Sequence, residues 1–229
     1  TRFSVDAELS SSTLTVNEGK VRATRLSDGS TVEVTARHRV VAALDCELIP
    51  EEMPDSVTLW QSHLENGRKR NYGEWMPAHG AEPPHLKTVP LTLSAKDDRK
   101  QRTIHTLSMP VSQGDHPPVV LQPETKIRVR GKIASSHRIW FGMTLRRENG
   151  DFAGRFQTIL PAEEFKSGEP FEVVLNLSDY HLDPSLAQWA ESLPKAPYDL
   201  IVQNVWCHTL WDPAGLQVSE IELMIPTEE

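Results

Sequence analysis

The sequence has few cysteines, no long apolar run and no excess of positive charge. Cys46 and Cys207 are the only cysteines in 229 residues, and neither lies in a CxxC pair or near a histidine at metal-ligand spacing, which argues against a zinc site. No apolar run reaches the roughly 18 residues that a membrane-spanning helix needs. The net charge of -8 argues against a nucleic-acid partner, because nucleic-acid-binding proteins usually carry a basic surface.

Catalytic signatures are also missing. The sequence contains no GxSxG, HExxH, P-loop or GxGxxG motif, so the common hydrolase, metalloprotease and nucleotide-binding signatures are absent. Carboxylate pairs such as Asp97/Asp98 and Glu163/Glu164 are sequence neighbours. Neighbouring residues of a strand point to opposite faces, whereas glycosidase carboxylates face each other across a cleft about 5 to 9.5 Å wide. We therefore expect a protein that is not an enzyme.

Alternation of apolar with polar residues indicates that the fold is all-β. Every second residue is apolar over residues 31–36 and 171–175, as in strands with one buried face. Asp28-Gly29 and Asn149-Gly150 are dipeptides typical of hairpin turns. We count about ten or eleven strands, with a turn signal roughly every 8 to 15 residues, and predict a β-sandwich of the jelly-roll type.

Residues 183–194 form the one short helix that we predict. Asp183 suits the N-cap, Pro184 suits the first helical position, and Pro194 ends the segment. Residues 63–85 are polar and rich in proline and glycine, and we interpret them as one long loop. A loop of that length is usually functional or disordered.

A change of composition near residue 45 predicts two domains. We expect residues 1–45 to form a small antiparallel β-meander and residues 46–229 to form the sandwich, with the acidic, proline-containing residues 45–55 as a linker. A few strands bury too little surface to be stable alone, so the meander is interpreted as part of a larger domain. The chain opens on TRFSV without a methionine, and we expect it to be a fragment of a longer protein.

Residues 1–45 resemble the C-terminal part of the FecR-type regulator domain. The segments that carry the resemblance are TRFSV at residues 1–5, the VNEGKV strand at 16–21 and VEVTARHRVV at 32–41. Arg37 departs from the pattern, because the family usually has glycine there. The resemblance implies a periplasmic regulator that signals to a sigma factor, attached to the membrane only through a segment absent from this chain.

Residues 118–229 resemble galactose-binding-like sandwiches, the fold of many carbohydrate-binding modules. KIRVRGKI, FGMTLRRENGDFAGRFQTI, EPFEVVLNLSDY and GLQVSEIELMIP carry this resemblance. It implies a carbohydrate ligand, and with the first resemblance a non-enzymatic extracytoplasmic sensor. Two alternatives stay open: an accessory carbohydrate-binding region of a carbohydrate-active enzyme, and a structural interaction domain of the cell envelope.

Loop aromatics are the predicted ligand-binding residues. Tyr72, Trp75 and Trp211 lie among polar, glycine and proline residues, where core packing explains a large ring poorly. The C–H faces of sugars stack on such rings, and the neighbouring Arg68 and Arg70 can bind hydroxyls or an acidic substituent. The competing interpretation is that Trp75 plugs one open end of the sandwich.

Two further tryptophans are assigned to the core. Trp140 and Trp206 are flanked by apolar strand residues, and rings supply much of the buried area of a sandwich.

The sequence leaves open a structural calcium site at three acidic residues and a disulfide between the two cysteines. No cofactor is expected, although Asp212, Glu220 and Glu222 are candidate ligands for a structural calcium ion, which related modules often have. In an oxidising compartment Cys46 and Cys207 could pair. The alternative is two separate buried thiols.

Overall fold

The computed structural model describes residues 1–8, 10–44, 46–66, 71–93, 102–112 and 117–227. The chain divides into two compact units, one comprising Thr1–Val57 with the C-terminal residues from Thr227, and the other comprising Thr58–Pro226. Regular structure is almost entirely β-strand, so the predicted all-β fold class is confirmed. In the described part of the chain, no helix has the length and apolar character needed to cross a membrane.

The first unit is an antiparallel β structure. Its strands are β1 (Arg2–Ala7), β2 (Ser11–Glu18), β3 (Lys20–Thr24), β4 (Thr31–Thr35), β5 (His38–Ala43) and β6 (Glu51–Glu52). One sheet has the order β1-β2-β5-β6, and β3 pairs with β4. Leu14, Val16, Val34 and Val40 form its small core. Because β6 joins this sheet, the residues predicted to be a linker contribute a strand to the first unit.

The Asp28-Gly29 turn is longer than its dipeptide suggests. The connection from β3 to β4 covers residues 25–30 rather than two residues. The Asp28 carboxylate accepts hydrogen bonds from Arg25 Nε and from the Ser30 backbone N–H, each at 3.0 Å. These contacts hold the pKa of Asp28 well below its usual range, and the bonded carboxylate organises the wider loop.

Arg37 occupies a left-handed turn between β4 and β5. Its φ is 62°, a conformation that glycine adopts without the steric cost of a Cβ atom. The Arg37 N–H donates to the Val16 carbonyl and the Arg37 carbonyl accepts from the Met53 N–H, each at 2.7 Å, while the guanidinium pairs with Asp55. These partners hold an arginine in a conformation that favours glycine.

The second unit contains two six-stranded antiparallel sheets. Its strands are β7 (Ser56–Gln61), β8 (Glu74–Met76), β9 (His85–Lys87), β10 (Val89–Leu93), β11 (Arg102–Pro110), β12 (Lys126–Lys132), β13 (Ile139–Arg146), β14 (Phe152–Leu160), β15 (Pro170–Asn176), β16 (His181–Leu182), β17 (Ile201–Thr209) and β18 (Gln217–Pro226). The front sheet has the order β10-β11-β17-β13-β14-β16. The back sheet has the order β15-β12-β18-β9-β8, with β7 also paired to β18.

One apolar core joins the inner faces of the two sheets. Phe141 and Met143 of β13 and Val205 of β17 are buried from the front sheet, and Val129 of β12 and Ile221 of β18 are buried from the back sheet. Strand side chains alternate between faces, so each strand supplies one buried row. The predicted β-sandwich is confirmed in this unit.

The outer face of the back sheet carries an ion-pair network. Arg130 of β12 pairs with Glu172 of β15 at 2.7 Å and with Glu220 of β18 at 3.0 Å, and Arg128 pairs with the buried Glu222. These contacts raise the pKa of Arg130 and lower that of Glu172. The arginines of β12 are therefore compensated by acidic residues of both neighbouring strands.

The predicted helix is a short 3₁₀ helix. It covers Pro184–Trp189, and the Asp183 carboxylate accepts a hydrogen bond from the Ser185 N–H at 2.9 Å. The capping prediction is confirmed, but the helix ends well before Pro194.

Residues 63–85 are not one irregular loop. They contain a 3₁₀ turn at Leu64–Asn66, strand β8 and the start of β9. Trp75 lies opposite Leu86 in the β8–β9 pair, and its indole N–H donates to the Leu64 carbonyl at 2.8 Å. Leu64 is part of the sandwich core. The prediction of a long loop is therefore wrong over these elements, and Trp75 fastens the 3₁₀ turn to β8.

The cysteines are free thiols. Cys207 is buried on β17 and Cys46 is exposed after β5, so the expectation of two buried thiols holds only for Cys207. Burial raises the pKa of the Cys207 thiol, which suppresses the reactive thiolate.

Replacing Trp75 by phenylalanine tests the indole bond. The variant keeps an aromatic ring but leaves the part-buried Leu64 carbonyl without its donor, and we expect the free energy of unfolding to fall by about 1 kcal/mol. Urea denaturation of wild type and variant measures the difference. Trp189→Phe is the control, because Trp189 is 51% exposed and we expect no change there. Equal stability of Trp75→Phe and wild type would contradict the assignment.

Candidate functional site

A groove of about 700 Å³ runs across the outer face of the front sheet. Most of its lining side chains come from strand positions that alternate with the core residues of β11, β13, β14 and β17. The rest come from Tyr72, from β10 and from residues 183–185 at the start of the 3₁₀ helix. The lining residues are Tyr72, Leu91, Leu93, Arg102, Ile104, Thr106, Ser108, Trp140, Thr144, Arg155, Gln157, Ile159, Asp183, Pro184, Ser185, Asn204, Trp206 and His208. The groove is therefore built mainly on strands, which position side chains more rigidly than loops do.

Three aromatic rings form a stack in this groove. His208 lies between Trp140 and Trp206, with ring centroids 5.1 Å and 5.4 Å away and interplanar angles of 8° and 21°. His208 faces Trp140 across β17 and β13, and Trp206 is two residues away on the same strand. Both indoles are partly exposed. The sheet thus presents a preassembled aromatic surface to the groove.

Gly142 makes room for the Trp206 ring. It lies opposite Trp206 in the β13–β17 pair, and a Cβ atom at residue 142 would be 2.2 Å from two carbons of the indole. That separation is far inside van der Waals contact. The indole therefore occupies the space above residue 142 that any other side chain would fill.

A second cleft adjoins the groove at Trp140. This end cleft has a volume of about 630 Å³, and its lining residues are His137, Arg138, Trp140, Pro161, Ala162, Glu163, Leu210 and Trp211. The Trp211 ring is 5.5 Å from that of His137, and the Arg138 guanidinium lies 5.8 Å from the centroid of Trp140. Trp140 lines both spaces.

Of the predicted loop residues, Tyr72, Trp75 and Trp211 have three different surroundings. Tyr72 lines the groove, where its backbone forms two 2.8 Å hydrogen bonds with Ser108, and Trp211 lines the end cleft. Trp75 lines neither space and donates to Leu64 instead. Arg68 and Arg70 lie outside the described residues.

The expectation that Trp140 and Trp206 belong to the core is wrong. Both rings lie on the outer face of the front sheet, because the inward positions of β13 and β17 are taken by Phe141, Val205 and Cys207. A sequence signal for this was present in β17. Asn204 and His208, two residues before and after Trp206, are polar, and residues two apart share a strand face.

The back sheet carries a smaller pocket of about 200 Å³ beside His85. The His85 ring Nδ1 lies 3.0 Å from the Pro83 carbonyl, and its buried Nε2 has no partner among the described residues. No tryptophan or tyrosine is among the described residues that line this pocket, and its volume is less than a third of that of the groove. The groove is therefore the stronger candidate for a ligand of several rings.

The calcium candidates are not assembled into a site. Glu220 and Glu222 are bound to arginines of β12, and Asp212 lies 3.0 Å from His105 Nδ1. Within the described ranges, no group of three or more histidine, cysteine or acidic residues could hold a metal ion.

The pKa of His208 provides a test of the ring stack. Burial, with a smaller contribution from Arg102, lowers the pKa of His208 to about 4 from an ordinary value of 6.5. The folded state therefore favours neutral imidazole, so its contribution to stability is full above about pH 6.5 and is lost as the pH falls to about 4. We expect wild type to lose roughly 2 to 3 kcal/mol more than His208→Phe across this window. Denaturant melts at several pH values measure the free energy of unfolding of both proteins as a function of pH. Parallel pH profiles of wild type and variant would contradict the lowered pKa of His208.

No family model matches the chain, and no curated protein matches it. Among solved structures it is similar to the family 11 carbohydrate-binding module of a cellulosomal cellulase of Clostridium thermocellum, with 10% identity and a TM-score of 0.43 over 78% of this chain and 92% of that one.

Two other solved structures are also similar. One is a carbohydrate-binding module of the β-sandwich superfamily described as having promiscuous specificity, with 11% identity and a TM-score of 0.40 over 99% of this chain and 97% of that one. The other is the isomalto-dextranase of Arthrobacter globiformis T6 complexed with panose, with 10% identity and a TM-score of 0.33 over 93% of this chain and 35% of that one.

Proposed function

We propose that the second unit is a non-catalytic carbohydrate-binding module that holds a glycan chain in the groove of the front sheet. The observation that carries this proposal is the stack of Trp140, His208 and Trp206 on the outer sheet face. Apolar C–H faces of a pyranose pack on aromatic rings, while its hydroxyls require polar partners. The groove supplies both, since amide, hydroxyl and guanidinium groups surround the rings.

The number of carboxylates that line the groove supports binding without hydrolysis. Asp183 is the one carboxylate among the described lining residues, and it lies 3.1 Å from the Arg155 guanidinium. Glycoside hydrolysis commonly needs two carboxylates about 5 to 9.5 Å apart. A single carboxylate engaged with an arginine does not provide that arrangement.

The geometry favours a chain over a single sugar. The groove and the end cleft have volumes of about 700 Å³ and 630 Å³ and share Trp140. Their aromatic residues are therefore spread over both spaces, and the ligand in this proposal is an extended oligosaccharide segment.

The setting that fits this site best is an accessory module of a carbohydrate-active enzyme outside the cytoplasm. The alternative of a FecR-type regulator rests on the resemblance of residues 1–45, and it stays a prediction together with its sigma-factor partner and periplasmic location. Sequencing the gene upstream of Thr1 tests both settings. A catalytic domain there supports the accessory module, and a membrane helix followed by the remainder of a FecR-type domain supports the regulator.

Removal of the Trp206 ring tests the proposed function. We expect Trp206→Ala to weaken glycan binding by at least about 10-fold, as for other central aromatic contacts. A glycan array identifies the ligand, and affinity electrophoresis with soluble polysaccharides measures the loss. Trp189→Ala is the matched control, because Trp189 is exposed and is not among the groove residues. Failure of wild type to bind any glycan, or undiminished binding by folded Trp206→Ala, would contradict the proposal.

Trp211 tests whether the end cleft extends the site. We expect Trp211→Ala to leave the affinity for short oligosaccharides unchanged and to lower that for long ones by about 5- to 30-fold, the loss of one exposed ring contact. Isothermal titration with a ladder of chain lengths measures this difference. An equal loss at every length would place Trp211 in the same subsite as the stack, and no loss at any length would exclude the end cleft.

A further inference from the structure

A row of polar side chains crosses the groove beside the ring stack. In the strand registers, Asn204 of β17 lies opposite Thr144 of β13, and Thr144 lies opposite Arg155 of β14. Asn204 is two residues from Trp206, so the row is the next one along the same sheet face. All three side chains line the groove. We call Asn204, Thr144 and Arg155 the polar row.

Asn204 presents a buried hydrogen-bonding atom that has no protein partner. Its Nδ2 donates to Ser108 Oγ at 2.9 Å, which fixes the amide. Its Oδ1 is buried and accepts no hydrogen bond from the described residues. Leaving a buried polar atom unsatisfied is costly, so a donor from a ligand would remove that cost.

Arg155 presents the complementary atom at the other end of the row. One of its terminal nitrogens lies 2.8 Å from Ser185 Oγ and 3.1 Å from Asp183 Oδ2. Its Nε is buried and donates to none of the described residues. The row thus ends in one unsatisfied acceptor and one unsatisfied donor, separated by two strand spacings, or about 10 Å between backbones.

We propose that the polar row selects neutral sugar units through their hydroxyl groups. This inference rests on the proposed function and assigns the chemical class of its ligand. With the sugar packed beside Trp206, one hydroxyl donates to Asn204 Oδ1 and another accepts from Arg155 Nε. A hydroxyl can fill either role, because it is both a donor and an acceptor.

An acidic sugar fits the row less well. A carboxylate or sulfate has no proton to donate to Asn204 Oδ1. It would also lie near the Asp183 carboxylate, whose ion pair with Arg155 already compensates the positive charge of that arginine. Arg102 also lines the groove, but it is far from the row. Pro110 is the β11 partner of Asn204, and the eight residue-to-residue steps from Arg102 to Pro110 span about 27 Å of strand.

Two matched pairs of polysaccharides test this selection. Hydroxyethylcellulose with carboxymethylcellulose, and dextran with dextran sulfate, each compare a neutral with an anionic form of one backbone. Affinity electrophoresis measures retention by the full chain. We expect wild type to bind at least one neutral member and to bind its anionic partner at least about 10-fold more weakly.

Two variants each remove one of the two unsatisfied atoms, Asn204 Oδ1 and Arg155 Nε. Asn204→Leu removes the Oδ1 acceptor at similar size, and Arg155→Lys keeps the positive charge beside Asp183 but removes the Nε donor. We expect each to bind the neutral polymer about 5- to 10-fold more weakly, the usual value of one hydrogen bond. Arg146→Lys is the control, because Arg146 bonds Gln203 through Nε outside the groove, and we expect it to bind as wild type does. Matching thermal melts establish that the variants are folded.

The outcomes separate this inference from the proposed function. Binding of none of the four polymers by wild type, together with a negative glycan array, overturns both. Binding that is lost in Trp206→Ala but retained fully by Asn204→Leu and Arg155→Lys overturns the polar row alone. A preference for the anionic member of a pair also overturns the row and leaves the carbohydrate-binding module intact.

Discussion

The candidate site depends on the contact between Trp206 and the bare backbone of Gly142. The register of β13 with β17 places these residues opposite each other, and a Cβ at 142 would overlap the indole. With that space open, Trp206 can stack on His208, and His208 can stack on Trp140. The aromatic surface is thus a consequence of strand register and one missing side chain, and it exists before any ligand arrives.

The two faces of the front sheet carry different kinds of side chain. Its inner face contributes Phe141, Met143 and Val205 to a core shared with the back sheet, and burial of such side chains dominates the stability of the fold. Its outer face is left with tryptophan, histidine, asparagine and arginine. The back sheet covers its own outer face with arginine–glutamate pairs. Of the two outer faces, the front one combines exposed rings with unsatisfied polar atoms.

The electrostatics of the groove agree with a neutral ligand. Burial keeps His208 uncharged above about pH 4, and the Arg155 guanidinium is compensated by Asp183. In the proposed function, binding rests on ring stacking and hydrogen bonds, which discriminate sugars by the positions of their hydroxyls. Such a site needs no conformational change to form, because its residues are held by strands, and preorganisation lowers the entropic cost of binding.

Local patterns in the sequence determined the fold class. Alternation over residues 31–36 and 171–175 predicts strands, and Asp183-Pro184 predicts a helix start, because these signals depend only on near neighbours. Which alternate face of β13 meets the core was decided by tertiary structure, since Trp140 lies on one face and Phe141 on the other and only the partner sheet selects one. Flanking apolar residues do not show which face Trp206 occupies, and the polar composition around Trp75 does not show its pairing with Leu86. The groove gathers residues from five strands that are far apart in the chain, and their proximity follows from strand order, which no local pattern encodes.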